Sequence, residues 1–344
     1  MPVFLIHQNF LRPCLLMVMM LLAGCGGSDE NPSRQLRGFS MGTSYTITIV
    51  DKTLITPESI SAALETIENT MSTYRPESEL MNLNAAPPKT WVRVSAPLYE
   101  VLMISQAVSK MSAGAFDITA APLVNLWGFG PDSTDAGTIP SEGEITQAKS
   151  TVGYENLLLT ENYSVYKMRD LEIDLSAVAK GYAVDRIAEL LDAQGINNYL
   201  VEIGGELKGK GRNARGEPWH IAIETPQSAN IAPQNHRIID IDNISVASSG
   251  DYRNFFEVAG RKYSHTIDPR TGRPINNGLL SVTVLSETTA LADALATAFN
   301  VLGLELAMQL ANENNIPAYF LEDNNSGLRA SHSTAFIPYI GDNQ

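Results

Sequence analysis

Polar and β-branched residues alternate over residues 44–50, SYTITIV, which predicts a strand with one buried face. A helical period follows. Thr56-Pro57-Glu58 supplies an N-cap and a proline at the first helical position, and the helix runs to about Met71. The next stretch, MSTYRPESELMNLN, breaks into a loop at Arg75-Pro76. Residues 97–112 are amphipathic and stop before Gly114, and Pro131 to Gly143 is a loop rich in Ser, Thr, Asp, Gly and Pro. LEIDL at 171–175 predicts a short strand, with Asp174 on the face opposite the apolar residues. Ser176 opens a helix that closes at Gly195, a residue suited to the left-handed position after a helix. Further strands are predicted at 198–203, 219–224, 237–241, 244–248, 254–258 and 279–285. A helix from about Thr288 to Leu302 stops at Gly303, and a strand pair, 317–321 and 334–338, brackets an Asn-Asn-Ser-Gly turn. Irregular alternation with hairpin-like spacing points to an α+β fold of mixed or antiparallel sheets with packed helices, not a doubly wound sheet. There is no internal repeat, and residues 36–344 form one domain, expected as two lobes around a cleft.

The N-terminus lies outside this pattern. An apolar run, CLLMVMMLLA, is too short to span a bilayer but has the length of a signal-peptide core. It ends in Leu22-Ala23-Gly24-Cys25, an order that resembles a bacterial lipobox. Residues 1–24 are therefore expected to be a lipoprotein signal peptide, with Cys25 the acylated first residue of the mature chain. Residues 25–35 are expected to be a flexible tether. The other cysteine, Cys14, leaves with the signal, so the mature chain has no internal disulfide, thiol catalyst or Cys-ligated zinc. The chain has 344 residues and a formal net charge of −14, which makes nucleic acid a poor partner.

Candidate chemistry is concentrated in a few segments. In Ala290–Asn300, ALADALATAFN, Asp293 and Thr297 stand one helical turn apart on one face. Both are oxygen donors of the kind Mg²⁺ takes, and a divalent cation would offset the burial of Asp293. Taken alone, the pair is equally a first-turn acid and a threonine bonding back to a carbonyl. Gly38–Thr43 places small residues around Met41 before a strand, and Tyr74 stands beside a proline-fixed bend. Gly114–Thr119 and Leu126–Gly130 interleave aromatics with glycine, as a pocket for a flat ring or an ordinary loop core would. Asp174 to Tyr182 passes from strand into helix. Helix-start N–H groups and Lys180 there can meet an anion, and carbonyls of the turn can meet a cation. The turn Tyr263–Pro274 holds His265, a candidate general base at neutral pH.

Six of these motifs occur in a fixed order: Met41-Gly42-Thr43, Tyr74-Arg75-Pro76, Gly114–Asp117, Asp174–Tyr182, His265–Pro269 and Ala292–Thr297. Together they resemble the ApbE family, the FAD:protein FMN transferases, across nearly all of the mature chain. The resemblance implies an ApbE-like fold with two lobes around a flavin cleft. It also implies a Mg²⁺-dependent reaction that splits FAD, attaches FMN through a phosphoester to a Thr or Ser of an acceptor protein, and releases AMP. By the same resemblance Mg²⁺ is held by Asp293, Thr297 and the carbonyl of Ala177. Met41, Tyr74, Ala115, Phe116, Asp117, Asp174, Lys180 and Ile267 contact FAD, and His265 takes the acceptor's proton. The implied acceptors are flavoprotein subunits such as those of membrane redox pumps. The implied location is the bacterial cell envelope, lipid-anchored and facing the periplasm, at the inner membrane. A metal-dependent FAD pyrophosphatase and a non-catalytic FAD-binding lipoprotein are the alternatives.

Overall fold

A computed structural model describes residues 33–130, 137–224, 235–250, 255–258, 260–323 and 327–340. The signal peptide, Cys25 and most of the tether lie outside the described residues, as does most of the Asn-Asn-Ser-Gly turn.

Ten strands matter for the site: β1 (Arg34–Ser40), β2 (Thr43–Ile49), β3 (Tyr199–Ile203), β4 (Glu206–Lys210), β5 (Trp219–Glu224), β6 (Asn235–Ile241), β7 (Ile244–Gly250), β8 (Leu279–Ser286), β9 (Ala318–Asp323) and β10 (Leu328–His332). Eight of them form one sheet in the order β1-β2-β3-β4-β7-β8-β9-β10, and every neighbouring pair is antiparallel. The α+β expectation holds. The helices are α1 (Pro57–Met71), α2 (Glu79–Ala85), α3 (Ala96–Met111), α4 (Ala121–Leu126), α5 (Glu142–Lys149), α6 (Ala179–Ala193), α7 (Thr289–Leu302) and α8 (Leu304–Glu313). The larger core joins one face of the sheet to α1, α3, α6 and α7. On the other face Ile221, Ile239 and Ile241 of the β5–β6 ribbon pack with Val246, Leu285 and Phe336. A small third cluster gathers Leu123, Trp127, Ile145 and Ile267.

Where the sequence carried a strong local signal, the element formed as expected. Thr56 Oγ1 accepts the Ser59 N–H (3.2 Å) at the start of α1, and α7 stops at Gly303. The differences have physical causes. β1 begins at Arg34, so the last two residues assigned to the tether belong to the sheet. The loop expected after Arg75 contains α2, capped by Ser78 and held by buried Leu80 and Leu83. Residues 171–175 alternate in burial but join no sheet. The Asn84 side chain satisfies both Ile173 backbone groups (2.9 Å each), and Asp174 N–H donates to the Ile118 carbonyl (2.7 Å). The partner of β9 is β10, not 334–338, which form a 3₁₀ turn that buries Phe336.

One junction positions the site. A Cβ at Gly181 in α6 would lie 2.4 Å from the Thr289 carbonyl oxygen, so only glycine lets α7 approach this closely. Thr288 makes no side-chain cap for α7. Instead Asp185 of α6 accepts the N–H groups of Thr289 (2.8 Å) and Ala290 (2.9 Å). That carboxylate meets the positive end of α7 and satisfies two donors every helix start leaves open.

Candidate active site

A cavity of ≈ 450 Å³ opens beside this junction. It brings together Ala115, Phe116, Asp117, Asp174, Ala177, Lys180, His265, Ile267, Asp293 and Thr297, ten of the predicted site residues from four separate segments. Ser248, Ser249 and Gly250 at the end of β7 complete its lining with other small and apolar groups.

The helix side is charged. Lys180 Nζ lies 3.0 Å from Glu206 Oε1 and 3.6 Å from Asp293 Oδ2. Burial would lower the Lys180 ammonium, but Asp293 and Glu206 overcome it and hold it above its ordinary range. Burial pushes the Glu206 carboxyl up to about 7, against the pull of Lys180. Asp293 is only 5 % exposed. Its burial is offset within the chain by Lys180 and by the Gly181 N–H, which donates to Oδ2 (3.1 Å), so a cation is not its sole compensation. In a helix continued one turn back, that N–H would donate to the Ala177 carbonyl. Its engagement with Asp293 leaves the carbonyl outside the helical ladder, and the first intrahelical-type bond runs from Tyr182 to Val178.

These residues fit a hard cation. The donors are a carboxylate (Asp293), a hydroxyl (Thr297) and a backbone carbonyl (Ala177), all on one cavity wall. Thr66 and Thr70 bond back to carbonyls one turn earlier, but no such bond holds the Thr297 hydroxyl. Among the described residues no group of three or more His, Cys, Asp or Glu could hold a metal, so any cation here relies on a single carboxylate and on oxygens of its ligand.

The opposite side is a loop wall of Ala115, Phe116, Ile118, Ala120, Ala121 and Val124. Asp117 braces it. Oδ1 accepts from Thr119 N–H (2.8 Å) and Oγ1 (2.7 Å), and Oδ2 accepts from Tyr154 N–H (2.9 Å). Burial raises the Asp117 carboxyl above its usual range against these bonds. Asp174 Oδ1 similarly accepts the Ser176 N–H (2.8 Å) in a local turn. The aromatics of 126–130 stand behind the wall, not on it. Trp127 is buried and stacks on Tyr263 (5.8 Å), Phe256 stacks on Tyr263 (5.2 Å) and Phe129 stacks on Phe256 (5.3 Å). Trp127 Nε1 also donates to the Gly272 carbonyl (2.8 Å), tying the ladder to the His265 turn. His265 itself is half-buried, lines the cavity and meets Phe129 edge-on.

Met41 and Tyr74 do not line this cavity. Met41 sits in the β1–β2 turn at φ 53° and packs on the larger core, and Tyr74 is 72 % exposed. Glu68 links the two motifs. It accepts from Ser40 Oγ (2.6 Å) and Met41 N–H (2.8 Å) and pairs with Arg75. A small notch lined by Thr73 shares Ala121, Val124 and Asp174 with the cavity, so the Tyr74 bend lies near its rim. Sequence reasoning missed Glu206 and Asp185. Asp185 had a signal, a carboxylate among Tyr182, Val184, Ile187 and Ala188 on a helix. Glu206 had a weaker one, its place after Gly204-Gly205 at the end of a predicted strand.

Comparison with known proteins agrees with this geometry. The profile described as the ApbE family matches residues 41–320. The FAD:protein FMN transferase of Vibrio cholerae is 41 % identical over 331 residues, covering 94 % of this chain and 96 % of the relative. That of Escherichia coli K12 is 34 % identical over 349 residues, covering 96 % and 98 %. The solved flavin transferase ApbE from V. cholerae superposes with a TM-score of 0.83 at 38 % identity, over 90 % of this chain and 99 % of the other. The apo flavinyl transferase ApbE of Pseudomonas stutzeri gives 0.82 at 37 % identity, over 91 % and 98 %. With a family match over most of its length and relatives this similar from end to end, the chain belongs to the ApbE family.

Proposed function

We propose that this protein is a Mg²⁺-dependent FAD:protein FMN transferase that joins FMN to a Thr or Ser hydroxyl of an acceptor protein and releases AMP. The observation that carries this reading is the single cavity, in which oxygen donors and an ammonium on α6 and α7 face an apolar loop wall, with His265 between solvent and the core. The apolar wall suits the flat ring of a flavin, and the charged side suits its pyrophosphate. A hard divalent cation held by Asp293, Thr297 and the Ala177 carbonyl would neutralise phosphate oxygens and favour charge build-up on them.

The chain's own groups then have distinct tasks. Lys180 meets phosphate charge, and Asp293 and Glu206 keep its ammonium protonated. His265 accepts the proton of the acceptor hydroxyl as its oxygen bonds to the FMN phosphorus. The bond from that phosphorus to the bridging oxygen breaks, and AMP leaves with that oxygen and the electron pair. Met41, Tyr74 and Asp117 serve the flavin side through their backbone and their positions in the rim and wall.

Incubating a candidate acceptor with FAD and Mg²⁺ and weighing it by mass spectrometry tests this. An adduct of FMN mass with release of AMP supports transfer. Free FMN and AMP without adduct would indicate an FAD pyrophosphatase, and intact bound FAD a carrier. The same reading includes a lipid anchor at Cys25, a location in the cell envelope facing the periplasm, and acceptors among flavin-carrying subunits of membrane redox pumps. Among the described residues no helix is long and apolar enough to cross a membrane. Labelled palmitate should enter the native protein and not Cys25→Ala, because stable anchoring needs more than one acyl chain at that residue. Equal labelling of the two would remove the anchor from the reading.

A further inference from the structure

The main sheet has a step beside the cavity. β7 pairs with β8 from Ser245↔Ser286 to Gly250↔Ser281, but with β4 only from Ile244↔Gly209 to Val246↔Leu207. β4 starts at Glu206, directly after the turn at Gly204 (φ 64°) and Gly205 (φ 105°). Over Ala247–Gly250, β7 therefore has a strand neighbour on one side only among the described residues. β5 offers a second open edge, since among those residues it pairs with β6 alone.

A groove of ≈ 360 Å³ lies between these two edges. It touches consecutive residues on both strands, Ile221 to Glu224 and Ser248 to Gly250. Successive side chains of a strand point to opposite faces, so a cleft that meets consecutive residues runs along the backbone edge and not over a face. Its floor is apolar, with Leu207, Ile221, Ile223 and Val246, and its mouth at Gly204-Gly205 carries no side chains. At one end it meets the catalytic cavity, because Ser248, Ser249 and Gly250 line both.

We propose that this groove receives the acceptor protein as an extended segment, which adds as a strand between β5 and β7 and carries its hydroxyl past Ser248–Gly250 into the cavity. The inference rests on the transferase reading, since water would need no such track. Unpaired strand edges are templates for an added strand, with main-chain hydrogen bonds giving affinity and alternate side chains giving selectivity. Two facing edges provide that pairing on both sides. The apolar floor takes every second side chain of the segment, and the small residues at the junction let the backbone of the reacting residue come close to the cavity.

Hydrogen–deuterium exchange on the full protein with FAD and Mg²⁺ tests this. The probe is a flavin-free flavin-carrying subunit of a membrane redox pump with its acceptor threonine replaced by valine, so that the complex does not turn over. The unaltered subunit is assayed in parallel for the FMN adduct. Exchange at the amides of 221–224 and 247–250 should slow about tenfold at saturating subunit, as bound strand edges do. Adduct formation with protection falling only elsewhere rejects the groove and leaves the transferase reading intact. Absence of any adduct rejects the transferase reading, and the groove with it.

Discussion

The two walls of the cavity are built in opposite ways. The helix wall is charged and rests on a few buried contacts: Gly181 against Thr289, Asp185 on the first N–H groups of α7, and Lys180 between Asp293 and Glu206. The loop wall is apolar and rests on spread packing, with the Trp127–Tyr263–Phe256–Phe129 ladder behind it and Asp117 bracing its backbone. The lesson is one of tolerance. A single change on the helix wall misplaces a charge or strands a buried donor, whereas a change at the loop rim removes only part of a distributed surface.

The largest effect should come from the helix wall. Asp293→Ala at saturating Mg²⁺ is expected to slow adduct formation by roughly 10²- to 10³-fold, because it removes the one carboxylate among the cation's donors. Thr297→Val, which removes a neutral oxygen and nearly keeps the shape, should cost less and recover further with added Mg²⁺. Equal losses in the two would mean the helix contributes shape and not charge. His265→Ala should follow, slowing transfer by about 10²-fold if it is the base, with FAD and Mg²⁺ affinity retained. Weakened FAD binding would move His265 from the chemistry to the pocket.

Asp185→Ala tests the scaffold of the same wall. Leaving the Thr289 and Ala290 N–H groups without an acceptor should cost about 2–3 kcal/mol of stability in denaturant unfolding. A loss of a few tenths would show that water replaces the cap. Glu206 gives a pH signature. Its folded carboxyl is raised from the model value of 4.5 to about 7, chiefly by burial, so the folded state holds a proton that the unfolded state has released between those values. Stability from this group is therefore present at low pH and lost as pH rises from about 4.5 through about 7. The native protein should lose on the order of 1–3 kcal/mol over that window relative to Glu206→Gln, whose slope should be flatter. Parallel slopes would mean the carboxylate stays charged beside Lys180. The smallest effect belongs to the rim. Tyr74 is 72 % exposed and outside the lining, so Tyr74→Ala should change FAD affinity by less than about 0.5 kcal/mol. A loss of about 1 kcal/mol or more, the size of a stacking contact, would show that the Tyr74 bend folds over the flavin.

Local signals made much of this legible in advance. The Thr56-Pro57 start of α1 and the Gly303 stop of α7 are written in single residues, and the i,i+4 pair Asp293/Thr297 places itself on one helix face whatever the rest of the chain does. The strand expected at 171–175 failed because alternation reports a buried face but not what satisfies the backbone, and here Asn84 does so from 89 residues away. β4, with the polar sequence ELKGK, carries no apolar period, and it brings Glu206 into the site. The roles of Asp185 and Gly181 exist only between two helices, so no window of sequence holds them. The aromatic run at 126–130 was rightly apolar and rigid, but burial of Trp127 places it behind the pocket and leaves the wall to Ala115–Ile118.

The most direct test of a cation held at the α6–α7 junction is the rate of FMN adduct formation against Mg²⁺ concentration, with native protein and Asp293→Ala measured side by side. The prediction is a saturating dependence for the native protein and, for the variant, a half-saturating Mg²⁺ concentration higher by about tenfold or more, as the loss of a charged ligand from a hard cation requires. Superimposable curves for the two proteins would contradict it and would place any metal elsewhere.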